Sequence, residues 1–103
     1  MDDIRVILVD DHPPVRDGVK VALQRDKDIR IEGEAETAEE LREILKERSA
    51  DVIVLDISLP DSSGLELVSF LREQHPISKI IILNKYRRSD YVLEAISKGA
   101  HVY

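Results

Sequence analysis

Three aspartates stand where strand-like runs end. Ile4–Val9 is a short β-rich run that stops at Asp10-Asp11, and the apolar run Val52-Ile53-Val54-Leu55 stops at Asp56. A third run, Lys79–Leu83, ends at Asn84. Carboxylates gathered at one rim repel one another and call for a hard cation. Oxygen-only ligation with retained waters suits Mg²⁺. A carboxylate beside such a cation can also attack phosphorus and form an acyl phosphate, while the metal neutralises charge on the transferring group. A single Asp at a strand end is ordinarily a loop or cap residue, but an adjacent pair plus a third at an equivalent end outweighs that reading. His12, His75 and His101 show no metal-ligand spacing and read as surface or loop residues. Tyr86, Tyr91 and the pair Arg87-Arg88 read as ordinary surface, and Glu39, Glu40, Glu43 and Glu47 as a solvated helix face.

The elements that must carry these ends follow from periodicity. Pro13 and Pro14 suit a helix start, where a missing N–H costs nothing. Val15, Val19, Ala22 and Leu23 recur at helical spacing and predict a helix over 14–24. Ile29, Ile31 and Gly33 alternate with charged residues, which predicts a strand. Thr37-Ala38-Glu39-Glu40 is a capping box, and Leu41, Ile44 and Leu45 give the helix behind it a buried stripe. The unbroken run Val52–Leu55 predicts a strand buried on both faces. Leu59-Pro60-Asp61-Ser62-Ser63-Gly64 is loop chemistry, after which Leu65, Val68 and Leu71 mark a third helix. Lys79–Leu83 is another strand. Ser89 caps a fourth helix with Val92, Ala95 and Ile96 inward, Gly99 suits a left-handed C-terminal cap, and His101-Val102-Tyr103 opens one more strand. Strand and helix in regular alternation mean a parallel α/β sheet with right-handed crossovers. In such sheets the functional crevice lies outside the carboxyl ends of the strands, where Asp10, Asp11, Asp56 and Asn84 all fall.

Composition narrows the partners. At 103 residues the chain is one domain, and 15 basic against 21 acidic side chains give a net charge of −6. Such a chain has no electrostatic footprint for phosphate backbones or anionic membranes. The absence of cysteine excludes disulfides, thiolate metal sites and a cysteine nucleophile. No apolar stretch nears the roughly 18 residues of a membrane span, and Met1-Asp2-Asp3 opens no secretory signal. A cytoplasmic domain without membrane contact is expected.

The runs Val6-Ile7-Leu8-Val9-Asp10-Asp11-His12-Pro13, Val52 through Glu66, and Ala95 through Tyr103 resemble the receiver (response-regulator) domain of two-component signalling. The Asp-His-Pro start and the Leu-Pro-Asp-x-x-Gly loop look most like regulators with a C-terminal helix-turn-helix DNA-binding domain. The resemblance covers the whole chain, as a single receiver domain over 1–103. It implies a flavodoxin-like doubly wound sheet, strand order 2-1-3-4-5, here cut short in the fifth strand and lacking the fifth helix. It implies that Asp56 is the phosphoacceptor and that Asp10 and Asp11 hold Mg²⁺, with the backbone carbonyl of Ser58 completing the protein's share. Tyr103 matches the switch aromatic. The implied partner is a sensor histidine kinase. The implied role is a signalling module rather than an enzyme, with DNA contact left to a C-terminal domain outside these residues.

Two positions depart from the family pattern. Asn84 stands where Thr or Ser is usual, and Lys85 where the residue is usually small; Lys85 could crowd the entrance or supply a counter-charge to the phosphoryl group. These substitutions keep open a pseudo-receiver, an interaction module that no longer switches. A haloacid-dehalogenase-type phosphatase wants a second acid two residues after the nucleophile, where this chain has Ser58. With the fifth helix absent, self-association through the uncovered apolar flank is expected.

Overall fold

The computed structural model describes residues 3–56, 59–61 and 64–83. Among the described residues seven elements alternate: β1 (Ile4–Val9), α1 (Pro13–Gln24), β2 (Ile29–Ala35), α2 (Ala38–Glu47), β3 (Val52–Asp56), α3 (Gly64–Gln74) and β4 (Lys79–Leu83). The strands form one parallel sheet in the order β2-β1-β3-β4. This matches the expected doubly wound order as far as the described residues reach. The predicted fourth helix, the stub at His101–Tyr103 and the expected loss beyond it lie outside them.

Side-chain alternation along the central strands splits the core between two faces. Ile7, Val9, Ile53, Leu55, Ile80 and Ile82 point towards α2 and α3, where they meet Leu41, Leu45, Leu67, Val68 and Leu71. Val6, Leu8 and Val54 point to the other face, against Val19 and Leu23 of α1. Each fully buried aliphatic side chain contributes about 1.5–3 kcal/mol, so among the described residues the α2/α3 face carries most of the stabilisation. The predicted stripes of α2 and α3 are found at Leu41, Leu45, Val68 and Leu71, with Ile44 only partly buried; the side chain of Leu65 lies outside the described ones.

The stripe of α1 is narrower than its periodicity predicts. None of its residues is buried; Val19 and Leu23 pack partly, while Val15 and Ala22 are exposed. Next to Val15, the Arg16 side chain is only 13% exposed and donates to the Asp10 carbonyl and to Glu34 at the strand ends.

β2 also departs from simple alternation. Val6 pairs with Ile31 and Ile7 with Gly33, so the register skips Glu32. One extra residue reverses the facing of everything after it. Ile29 and Ile31 therefore pack on the α1 face, whereas Gly33 and Ala35 turn to the α2 face. A Cβ on Gly33 would touch Ile44 at 3.4 Å, so a small residue suits this approach. The same reversal turns Glu34 onto the α1 face.

At the amino end of the sheet, Asp51 accepts from the Arg5 backbone at 2.9 Å and from its guanidinium at 3.3 Å. The Arg5 hydrogen bonds hold the Asp51 carboxyl below the usual aspartate range. Buried Ser78 donates to the Ala50 carbonyl at 2.6 Å. These contacts brace the end of the molecule opposite the acidic rim.

Candidate functional site

The carboxyl ends of β1 and β3 lie side by side because their strands pair directly, Val9 against Leu55. Asp10 follows β1 and Asp56 closes β3, so their carboxylates arrive at one rim. Both are nearly inaccessible, Asp10 at 3% and Asp56 at 1% exposure, and Asp11 is half-buried. One ligand atom from each of Asp10, Asp11, His12 and Asp56 can be chosen so that all four lie within 4.8 Å of one another. The three carboxylates expected to converge therefore do converge.

The backbone around Asp10 is held closely. Its N–H donates to the Ala35 carbonyl at 2.9 Å, and its own carbonyl accepts from Arg16 Nη1 at 2.7 Å. Its Oδ1 accepts from the His12 backbone N–H at 2.7 Å. That last bond is an Asx-type turn, which bends the chain from β1 into α1. One carboxylate oxygen thus shapes the turn while the group stays at the rim.

His12 is the residue that spacing did not flag. It is half exposed, as expected of a surface histidine, but its Nδ1 lies 2.8 Å from Asp11 Oδ1 and 3.7 Å from Asp10 Oδ1. No sequence period announces that approach, because it depends on the rotamer after the turn. Arg16 and Glu34 were missed for a related reason: they meet across two elements. Ser58, Asn84, Lys85 and Tyr103 lie outside the described residues.

An all-oxygen donor set from three acids, two of them buried, fits a hard divalent cation such as Mg²⁺. The same arrangement presents Asp56 as a carboxylate whose charge a bound cation would balance. Among the described residues no helix is long and apolar enough to cross a membrane.

A doubly wound parallel sheet with acids at its carboxyl rim defines a flavodoxin-like α/β module. Residues 6–103 match the response regulator receiver domain, and the chain belongs to that family. It is 35% identical over 102 residues to the transcriptional regulatory protein YxjL of Bacillus subtilis, covering 99% of this chain and 47% of YxjL. It is 37% identical over 100 residues to the DNA-binding transcriptional activator DevR/DosR of Mycobacterium tuberculosis, covering 97% of this chain and 46% of that protein. A crystal structure of a LuxR-family two-component response regulator from Aurantimonas superposes with a TM-score of 0.90 at 31% identity, covering 99% of this chain and 73% of that one. The chain spans about half the length of the curated relatives it matches.

Proposed function

We propose that this receiver domain takes a phosphoryl group from a histidine kinase onto Asp56, with Mg²⁺ held by Asp10, Asp11 and Asp56. The observation that carries the reading is the gathering of those three carboxylates at one rim, with Asp56 1% exposed. A carboxylate oxygen of Asp56 bonds to phosphorus as the P–N bond of the kinase phosphohistidine breaks, and the imidazole nitrogen keeps that electron pair. Bound Mg²⁺ supplies counter-charge to the phosphoryl oxygens. Asp10 and Asp11 would hold the cation, and the Asx turn from Asp10 to His12 keeps the Asp10 carboxylate at the rim. The family resemblance adds the Ser58 carbonyl as a further ligand, Asn84 and Lys85 beside the phosphoryl group, and Tyr103 as the switch aromatic.

In the whole regulator this step controls DNA binding and transcription. The transcriptional names of its relatives support that assignment, as does the acidic charge of this domain, which leaves DNA contact to another part of the protein. Cytoplasmic location follows from the same role. Self-association belongs to the proposal too, through the exposed apolar side chains of α1, where Val15 and Val21 are 36% and 56% exposed.

Incubation with acetyl phosphate and Mg²⁺, read by intact mass, tests the reading. A gain of one phosphoryl unit on the parent chain, absent from Asp56→Asn, is expected. No gain on the parent chain would favour the pseudo-receiver, whose sequence signs are Asn84 and Lys85.

A further inference from the structure

We propose that Arg16 is a positioning residue for the acidic pair, fixing the Asp10–Asp11 peptide by tying the end of β1 to the end of β2. The inference rests on the metal reading above.

Arg16 stands in the first turn of α1, its N–H donating to the His12 carbonyl at 3.0 Å. Its guanidinium reaches three acceptors from three different places. Nη1 donates to the Asp10 carbonyl at 2.7 Å, Nε to Glu34 Oε1 at 3.0 Å, and Nη2 to Glu36 Oε1 at 3.3 Å. The β2 bulge makes this possible, because without it Glu34 would face α2. Glu34 is itself steadied by Lys20, whose Nζ donates to Oε2 at 3.0 Å. The Asp10 carbonyl belongs to the peptide that joins the two acids. Arg16 holds the carbonyl of that peptide and Ala35 holds the N–H of the peptide before it, so the backbone on both sides of the Asp10 Cα is fixed. The direction in which the Asp11 carboxylate leaves the backbone is set accordingly.

A rigid, planar fork can serve three acceptors at once, and a lysine ammonium cannot reproduce that geometry. Two roles for Arg16 then predict opposite results. If it acts only as a nearby positive charge, it opposes a bound cation; its removal would tighten Mg²⁺ binding, and Arg16→Lys would leave it unchanged. If it positions the peptide, both Arg16→Lys and Arg16→Met weaken binding, by about tenfold as for other residues that orient metal ligands.

The experiment is calorimetric titration of Mg²⁺ into the parent chain, Arg16→Lys and Arg16→Met, with metal-free amide spectra of each. The expected result is weaker binding in both variants and a displaced Asp11 amide resonance before metal is added, with Asp51 and Lys79 at the far end of the sheet unmoved. If Arg16→Met does not fold, Arg16→Lys decides alone. Unchanged affinity in Arg16→Lys overturns the inference while leaving the metal reading intact. No Mg²⁺ binding by the folded parent chain overturns the metal reading, and this inference with it.

Discussion

The carboxylate of Asp61, in the loop after β3, accepts the backbone N–H of Ala38 at 2.9 Å, the first residue of α2. Its second oxygen accepts from Glu39 at 3.1 Å, and Thr37 Oγ1 takes the Glu40 N–H at 3.0 Å. The first three orphan donors of α2 are thus satisfied, two of them by a residue far along the chain. Glu40 reaches back as the capping box predicts, but to the N–H of Glu36 at 2.8 Å, one residue before the cap. Asp61 is in this way pinned to α2.

That pin is pH-dependent. The Ala38 N–H bond, aided by that of Glu39, holds the Asp61 carboxyl below its ordinary value of 3.8. A depressed carboxyl contributes stability that is fully present above its unfolded value and is lost as pH falls through the lower folded value. Asp61→Ala should therefore melt at a lower temperature than the parent chain at pH 7, and the gap should narrow below pH 4. A gap of constant size across that window would show that the carboxylate does not stabilise α2 through its charge.

Removal of one rim acid should separate metal binding from folding. Asp11 is half-buried and outside the sheet, so Asp11→Ala should keep the parent's circular dichroism while weakening Mg²⁺ binding roughly tenfold or more, because ligand charge count sets affinity. Parent-like affinity in that variant would remove Asp11 from the ligand set.

Truncation costs should follow burial. Leu41 is 0% exposed beneath α2, and Leu41→Ala should cost about 2–5 kcal/mol in urea unfolding. Val21, 56% exposed on α1, should tolerate the same change within about 0.5 kcal/mol. Comparable losses at the two positions would contradict the burial of Leu41 and the exposure of Val21.

Val15 and Val21 are exposed on α1, the helix whose Val19 and Leu23 pack in one cluster with the half-buried Ile81 and Leu83. Sedimentation at micromolar concentration should show association of this chain, reduced by Val21→Glu, since an introduced charge is costly to bury. A monomer at every concentration would remove the α1 face as a self-association surface.

Much was legible in the sequence because it is local. Unbroken apolar runs, helical spacing and Pro13-Pro14 mark β1, α1, β3 and β4 within a residue or two, and the spacing of Val68 and Leu71 marks α3, since each pattern reports one element's own period. The convergence of Asp10, Asp11 and Asp56 follows from the same logic, because parallel strands place all their carboxyl ends at one rim.

Other relationships depend on how separate elements meet. The skip at Glu32 is a property of the β1–β2 pairing, not of β2 alone, yet it decides that Glu34 faces Arg16 and Gly33 faces Ile44. Arg16 reads from sequence as one more cation on a helix surface, and only the meeting of α1 with two strand ends gives it three acceptors. Asp61 reads as loop chemistry until α2 is packed beside it. Periodicity along one chain determined which residues each element buries and where each strand ends. Tertiary structure alone decided which of those ends are tied together, because hydrogen bonds between elements depend on register and approach, and no single element's sequence encodes either.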